Sequence, residues 1–309
     1  MESSLNRETS ELAEFSDRFS PVFVKELRQG LRANYFVMPF IGAQVLAIIA
    51  VILEMVLGMF GGGGVFSGGL FFTFLSIVFS IVMPLTLFDA LQPEISAGRN
   101  VELLLMSNLT RWQIVRGKFL VGCVLSGLMM VSLLPYLLIR YFVGDVELLQ
   151  NAGMVIALML GNALMNAIVI GASATRNYVG RVFMIGFIVV CYFLVSLAIG
   201  IAASTGAGTL GVLFVLAGTS FLYIVLSLQL GRAKLRVFEN PLDPPSTALI
   251  VVLIILSPVA VGMTMAMFAM LGGFWSMVAG AGAIVGLIIL ALLLDRGPGK
   301  KKPIGWAQP

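Results

Sequence analysis

The sequence predicts an all-α polytopic membrane protein with eight transmembrane helices and both termini cytoplasmic. Three observations carry this. Apolar residues form 59% of the chain and charged residues 11%, against roughly 45–50% and about 25% in an average soluble domain. That balance leaves too little polar surface to cover a soluble core of this size. Several apolar runs also exceed the ~18 residues that mark a spanning helix. Finally, the basic residues gather in alternate connecting segments, which gives the helices an inside and an outside.

The same composition narrows the chemistry. The chain has no histidine, which removes imidazole metal sites and histidine acid–base catalysis. Its two cysteines, Cys123 and Cys191, fall inside apolar runs and read as packing residues, not a disulfide framework. Residues 1–19 are polar, carry both signs of charge and lack a short apolar core. They are expected to form a cytoplasmic tail, with no cleavable signal.

Ser20 and Pro21 give a helix start, serine as cap and proline in the first turn. Residues 20–34 then read as an amphipathic interfacial helix. Phe23, Val24, Leu27 and Leu31 share one face, while Lys25, Arg28, Gln29 and Arg32 point elsewhere. Such a helix suits the membrane surface, with apolar side chains in the acyl boundary and cations near lipid phosphate. Eight spans follow, at about Phe36–Met59, Leu70–Phe88, Phe119–Val143, Ala152–Ala174, Val182–Ala203, Thr209–Gln229, Ala248–Met270 and Phe274–Leu294. The first six belong to a core over residues 35–230. A polar, proline-rich linker (231–247) separates them from an additional two-span hairpin (248–294). Residues 295–309 make a basic tail. The glycine run after the first span lacks the G-K-[ST] of a phosphate loop and reads as a hairpin connection. Pro84, Pro135 and Pro258 should kink their helices or mark span ends.

Charge tests the count. With both termini inside, every basic residue except Arg140 falls in a cytoplasmic segment, and Arg140 lies within the third span. The outer loops carry none, so the positive-inside rule holds throughout the loops.

The longest internal polar passage is residues 89–118. Asn100 is placed to cap a short helix, with Glu102 in its dipole-favoured first turn. Val101, Leu104 and Leu105 make an apolar face, with Leu103 to one side. Ser107, Asn108 and Leu109 break it. Thr110 and Gln113 have the spacing of a capping box for a second helix, which continues through Gly117 into the third span. An apolar stripe on a cytoplasmic loop needs a cover, from its own chain or from a partner.

The ordered set is specific: a KELR-type amphipathic helix, a span, E-x3-G-x3-E-L-L-L, a short bend, and I-V-x-G-K entering the next span. It resembles the permease subunits of ABC exporters of the ABC-2 class, over roughly residues 20–140. The resemblance implies that residues 20–34 are an elbow helix, with Phe23, Lys25, Glu26, Leu27, Arg28, Leu31 and Arg32 as its working residues. It implies that 89–118 holds a coupling helix docked on a separate ATPase. The interface would draw on Glu94, Gly98, Arg99, Asn100, Glu102, Leu103, Leu104, Asn108, Thr110 and Arg111. Gly117 and Lys118 match the G-K of membrane re-entry. Two features depart from the family. The usual proline after the leucines is missing from Ser107–Thr110, and eight spans replace the usual six.

Within the spans, polar residues are costly, about 2.5–3.5 kcal/mol for a charge at bilayer depth. Glu54 in the first span and Arg140 in the third lie at similar depth. They are expected to pair or to share a polar outer vestibule, with snorkelling to the interface as the alternative. Asn162 and Asn166 stand four apart on one face of the fourth span, with Ser173 further along. They either line a substrate path or make interhelical hydrogen bonds.

The expected function is therefore a permease that moves a substrate across or out of a bacterial cytoplasmic (inner) membrane when a separate ABC ATPase closes on its coupling helix. No Walker A motif occurs, so the chain itself is not expected to be an enzyme or to hold a cofactor. MgATP belongs on the partner. A second permease copy or paralogue would complete a dimer, membrane lipid is a further partner, and no nucleic acid is implied. Two other readings stand beside it: an ion-coupled secondary transporter, which would want ionisable groups at mid-membrane, and a non-transporting membrane assembly subunit. An intramembrane hydrolase is disfavoured by the lack of histidine.

Overall fold

The computed structural model describes residues 21–61, 69–92, 111–144, 148–175, 177–204, 209–234, 247–269 and 272–296. Among them the only regular structure is helical. The elements are α1 (Pro21–Arg32), α2 (Asn34–Gly61), α3 (Leu70–Leu85), α4 (Arg111–Gly144), α5 (Leu148–Ser173), α6 (Tyr178–Ser204), α7 (Thr209–Lys234), α8 (Thr247–Ala269) and α9 (Gly273–Arg296). Seven of these, α2 and α4 to α9, are long and apolar enough to cross a membrane. The protein is a multi-pass helical membrane protein. The short helix expected at Asn100–Leu105 and the bend at Ser107–Thr110 lie outside the described residues. So do the tails, the glycine-rich connection and most of the linker.

The chain divides into two compact units, residues 1–173 and 174–309. In the first, α1 to α5 share one apolar core. Phe36, Ala43, Ala47, Ala50 and Val51 of α2 face Phe71, Leu75, Phe79 and Met83 of α3, and Leu125, Met129, Leu133 and Leu137 of α4. The alanines recur at helical spacing and let the backbones approach closely, which replaces the missing hydrophobic drive between helices in lipid. The opposite faces of the same helices are apolar and outward, as at Ile41, Ile48, Ile52 and Val131.

One expectation changes in this unit. The second span, expected over Leu70–Phe88, forms a helix shorter than the seven long apolar ones. Pro84 is the reason. It has no N–H, and its ring would press on the carbonyl four residues back. The helix widens just before it into a π turn, Val78–Val82, in which the Met83 N–H bonds to the Val78 carbonyl. After Leu85 the chain continues to Gln92 in tighter i→i+3 turns. Pro39, Pro135 and Pro258, by contrast, sit inside continuous helices. In α1 the packing adds a contact that the apolar pattern does not mark. Its packed stripe is Phe23, Leu27 and Gly30, while Leu31 is 40% exposed. Gly30 is buried, and a β-carbon there would come within 3.1 Å of Leu125. Leu31, one residue on, points outward, where the acyl boundary would meet it.

The second unit contains α6 to α9. The last pair, expected as an appendage to a six-span core, packs directly against α6 and α7. Polar ties join these helices. Tyr223 and Ser257 share a hydrogen bond of 2.7 Å between their hydroxyls, Gln229 Nε2 donates to the Ala291 carbonyl at 3.0 Å, and Ser276 donates to the Met265 carbonyl at 2.9 Å.

Candidate functional site

Three features of the first unit concentrate its polar chemistry: a brace at the foot of α4, a charged junction and an asparagine junction.

The brace joins α1 to α4. Lys118 Nζ and Glu26 Oε1 form an ion pair of 2.9 Å, and both side chains are largely covered. One turn further along α4, Val121 and Leu125 pack inward. Between α1 and α4 and the end of the α3 path lies a cavity of about 470 Å³ whose lining includes Glu26, Asp89 and Lys118. This frame holds both ends of the 93–110 insert. On the entering side Leu91 is fully buried and Gln92 Nε2 donates to the Ser173 carbonyl at 2.9 Å. That carbonyl belongs to the last turn of α5, where a helix has no acceptor-matched donor of its own. On the leaving side Ile114 and Val115 are buried, and the Arg116 guanidinium stacks 4.3 Å from the Trp112 ring centroid. Of the residues expected at an ATPase interface, Glu94, Gly98, Arg99, Asn100, Glu102, Leu103, Leu104, Asn108 and Thr110 lie outside the described residues. Arg111 opens α4. Of the elbow residues, Phe23 and Leu27 pack inward and Glu26 makes the brace. Lys25, Arg28 and Arg32 are exposed.

At the charged junction, Arg140 Nε donates to Glu54 Oε2 at 3.0 Å, and each residue is only 2% exposed. Snorkelling is thereby replaced by pairing. The helical period explains the placement. Glu54 continues the Ala43, Ala47, Ala50 stripe of α2, and Arg140 continues the Met129, Leu133, Leu137 stripe of α4. Both therefore face the core, not lipid. The other carboxylate oxygen, Oε1, accepts the Phe71 backbone N–H at 2.9 Å. Phe71 is in the first turn of α3, where backbone donors have no helical partner. In lipid such a donor costs several kcal/mol if unmet. Glu54 thus caps α3 from a neighbouring helix, with the dipole in its favour. The Arg140 guanidinium also lies 5.1 Å and 5.0 Å from the ring centroids of Phe71 and Phe72, a cation–π contact on each.

The asparagine junction follows from the π turn. Phe79 O has lost its α-helical donor, because the Met83 N–H is bonded to Val78 O. The next possible donor would be residue 84, a proline. Asn162 Nδ2 of α5 fills the vacancy at 2.6 Å, and Asn166 Nδ2 donates to Asn162 Oδ1 at 2.9 Å. Both asparagines are enclosed, so their amides tie α5 to α3. Asn166 also lies against Gly122 of α4, where a β-carbon would meet Leu87 at 2.5 Å. The expected pair was visible as an i, i+4 repeat. Its acceptor was not, since a freed backbone carbonyl has no residue type of its own. A sequence signal does exist: Pro84 leaves the carbonyls one turn earlier without a donor.

Sequence reasoning also passed over Gln44, which donates to Ser132 at 2.5 Å between α2 and α4, and the Tyr192–Tyr223 edge-to-face pair with its serine partners in the second unit. Comparison with protein-family models, with curated proteins and with solved structures gives no match.

Proposed function

We propose that this chain is the membrane-spanning permease subunit of an ATP-driven ABC exporter of the ABC-2 class, acting in a bacterial cytoplasmic membrane. The observation that carries the reading is the brace. An amphipathic helix is ion-paired through Glu26 to Lys118 at the foot of α4, beside both anchored ends of the 93–110 insert. A loop that must transmit force needs stiff attachments, and these are buried and hydrogen-bonded. The insert would supply the coupling helix. ATPase closure would push it against α4, and the brace would carry the displacement to α1. From α4 the junctions at Arg140 and Gly122 would pass it to α2, α3 and α5. ATP and magnesium would be held on the partner, and a second permease copy or paralogue would complete the translocation path.

Both termini are cytoplasmic in this reading, α1 is the elbow helix, and the chain crosses eight times. The length of the α3 path supports the eighth crossing. Leu70–Leu85 rises at about 1.5 Å per residue and the i→i+3 turns to Gln92 at about 2 Å, together enough for a ~30 Å hydrocarbon layer. An ion-coupled mechanism has less support, because Glu54 and Arg140 satisfy each other.

Co-purification tests the proposal. The tagged wild-type chain should bring down an ABC ATPase from its native host, and Glu102→Arg and Leu104→Asp should abolish capture while leaving membrane insertion intact. Full capture by both variants would remove the insert from the interface.

A further inference from the structure

We propose that the asparagine junction binds an internal water molecule at mid-membrane, held between Ser126 of α4 and Asn166 of α5. This needs only a membrane-embedded chain and does not rest on the exporter reading.

The hydrogen bonds of the junction run in one direction. Asn162 Nδ2 donates to the Phe79 carbonyl, so Asn162 Oδ1 must take a donor, and Asn166 Nδ2 supplies it at 2.9 Å. That order fixes which way the Asn166 amide faces. Its own oxygen, Oδ1, is left as the last acceptor of the chain. Asn166 is fully buried, and Oδ1 has no hydrogen-bond partner among the described residues. Ser126 Oγ is in the same position. The residue is 1% exposed, and its hydroxyl has no partner among the described residues.

The two orphans share one place. Asn166 lies against Gly122, where a β-carbon would come 3.6 Å from Nδ2, and its amide reaches the Cys123 thiol. Ser126 stands four residues after Gly122 and three after Cys123, so the three make one patch of the α4 surface. Asn166 enters that patch as a knob enters a hole between helices. The contacts at Gly122 and Cys123 turn the patch, and Ser126 with it, toward α5. Both residues lie near the middle of their spans, 112–142 and 151–173, where lipid offers no partner and an unmet polar group costs several kcal/mol. A water molecule serves both at once. It donates to Asn166 Oδ1 and accepts the Ser126 O–H, with the Cys123 sulfur as a weak acceptor for its second proton. Buried waters typically make about three such bonds. A small cation suits the place less, because both oxygens are neutral and a charge at this depth is costly.

Radiolytic hydroxyl-radical labelling of the full-length chain in lipid nanodiscs tests this. A brief X-ray pulse makes radicals from the water at hand, and mass spectrometry reads where they oxidise sulfur. Rates are corrected for the intrinsic reactivity of thiol and thioether. Cys123, beside the water, should be oxidised faster than Cys191, which is 6% exposed, and faster than Met263, which is 65% exposed on α8. Ser126→Ala removes one hydrogen bond to the water and should lower the Cys123 rate roughly two- to tenfold. Ser126→Thr keeps the hydroxyl and should hold most of the rate. Cys191 and Met263 should keep their rates in both variants, which reports an intact fold. A wild-type Cys123 rate no higher than that of Met263 overturns the proposal, and that arm needs no variant to fold. A rate that Ser126→Ala leaves unchanged in the intact fold also overturns it. The same measurement in choline chloride and in sodium chloride separates water from ion. Equal Cys123 rates in the two salts support water, and a rate that falls in sodium alone assigns the place to the cation instead.

Discussion

Glu54 satisfies two demands with one carboxylate. It neutralises Arg140 and accepts an orphan backbone donor of α3. Removing one partner of a buried pair strands the other, at about 3–5 kcal/mol. Arg140→Met should therefore destabilise strongly in equilibrium unfolding in detergent. Glu54→Gln/Arg140→Met should recover much of that loss, because glutamine still accepts the Phe71 N–H and no bare charge remains. Additive effects of the two changes would contradict the pairing. Glu54→Leu should be worse than Glu54→Gln, since it loses the cap as well as the charge. Much of this was legible beforehand. Two isolated charges at similar depth in neighbouring spans pointed to each other, and the alanine stripe at Ala43, Ala47 and Ala50 marks the face on which Glu54 stands. The role in capping was not legible. It depends on where α3 begins, and Gly69, with its left-handed φ of 62°, sits at the end of a glycine run that fixes no start by pattern alone.

Among the elements, α3 departs most from its expected form, and its irregularity is local chemistry. Pro84 withholds a donor, the π turn shifts the Met83 bond to Val78, and Asn162 meets the carbonyl of Phe79. Asn162→Ala should cost about 1–3 kcal/mol, the penalty of an unmet buried acceptor. In a Pro84→Ala background that cost should shrink by about 1 kcal/mol, because residue 84 then offers an N–H to the same turn. An unchanged cost would sever the link between the proline and the asparagine. Gly122 belongs to the same neighbourhood. Gly122→Val should lower stability by about 1–3 kcal/mol through overpacking against Leu87. Seven long helices were readable from length and hydropathy. The order of the short one was too, but not its width or its ending. Periodicity describes side chains on a regular helix, and a π turn is a change in backbone bonding. The inward contact of α1 at Gly30 was not legible for a similar reason. A glycine has no hydropathy to mark it as a contact, yet Gly30 is buried with Leu125 of α4 close against it.

For the whole molecule, the proposed topology rests on the charge pattern and the proposed function on the insert, and each has its own test. In intact cells a membrane-impermeant thiol reagent should label Gly63→Cys and leave Arg99→Cys and Lys301→Cys unlabelled until the membrane is opened. The reverse pattern would invert the chain. Two units were not foreseen from sequence, which read the last hairpin as an addition; α8 and α9 instead complete the bundle begun by α6 and α7. The cross-helix hydrogen bonds of that bundle come from serines, tyrosines and a glutamine scattered along otherwise apolar runs, and these carry no repeat that a linear reading isolates. The central claim is that the 93–110 insert is where a soluble ATPase engages the membrane body. Its most direct measurement is site-specific photocrosslinking in the native host, with the photoreactive residue at position 104 and, as control, at the outward position 214. The account predicts one prominent adduct from position 104, identified as an ABC ATPase, and none from position 214. No ATPase adduct from position 104, or the same adduct from both positions, would contradict it.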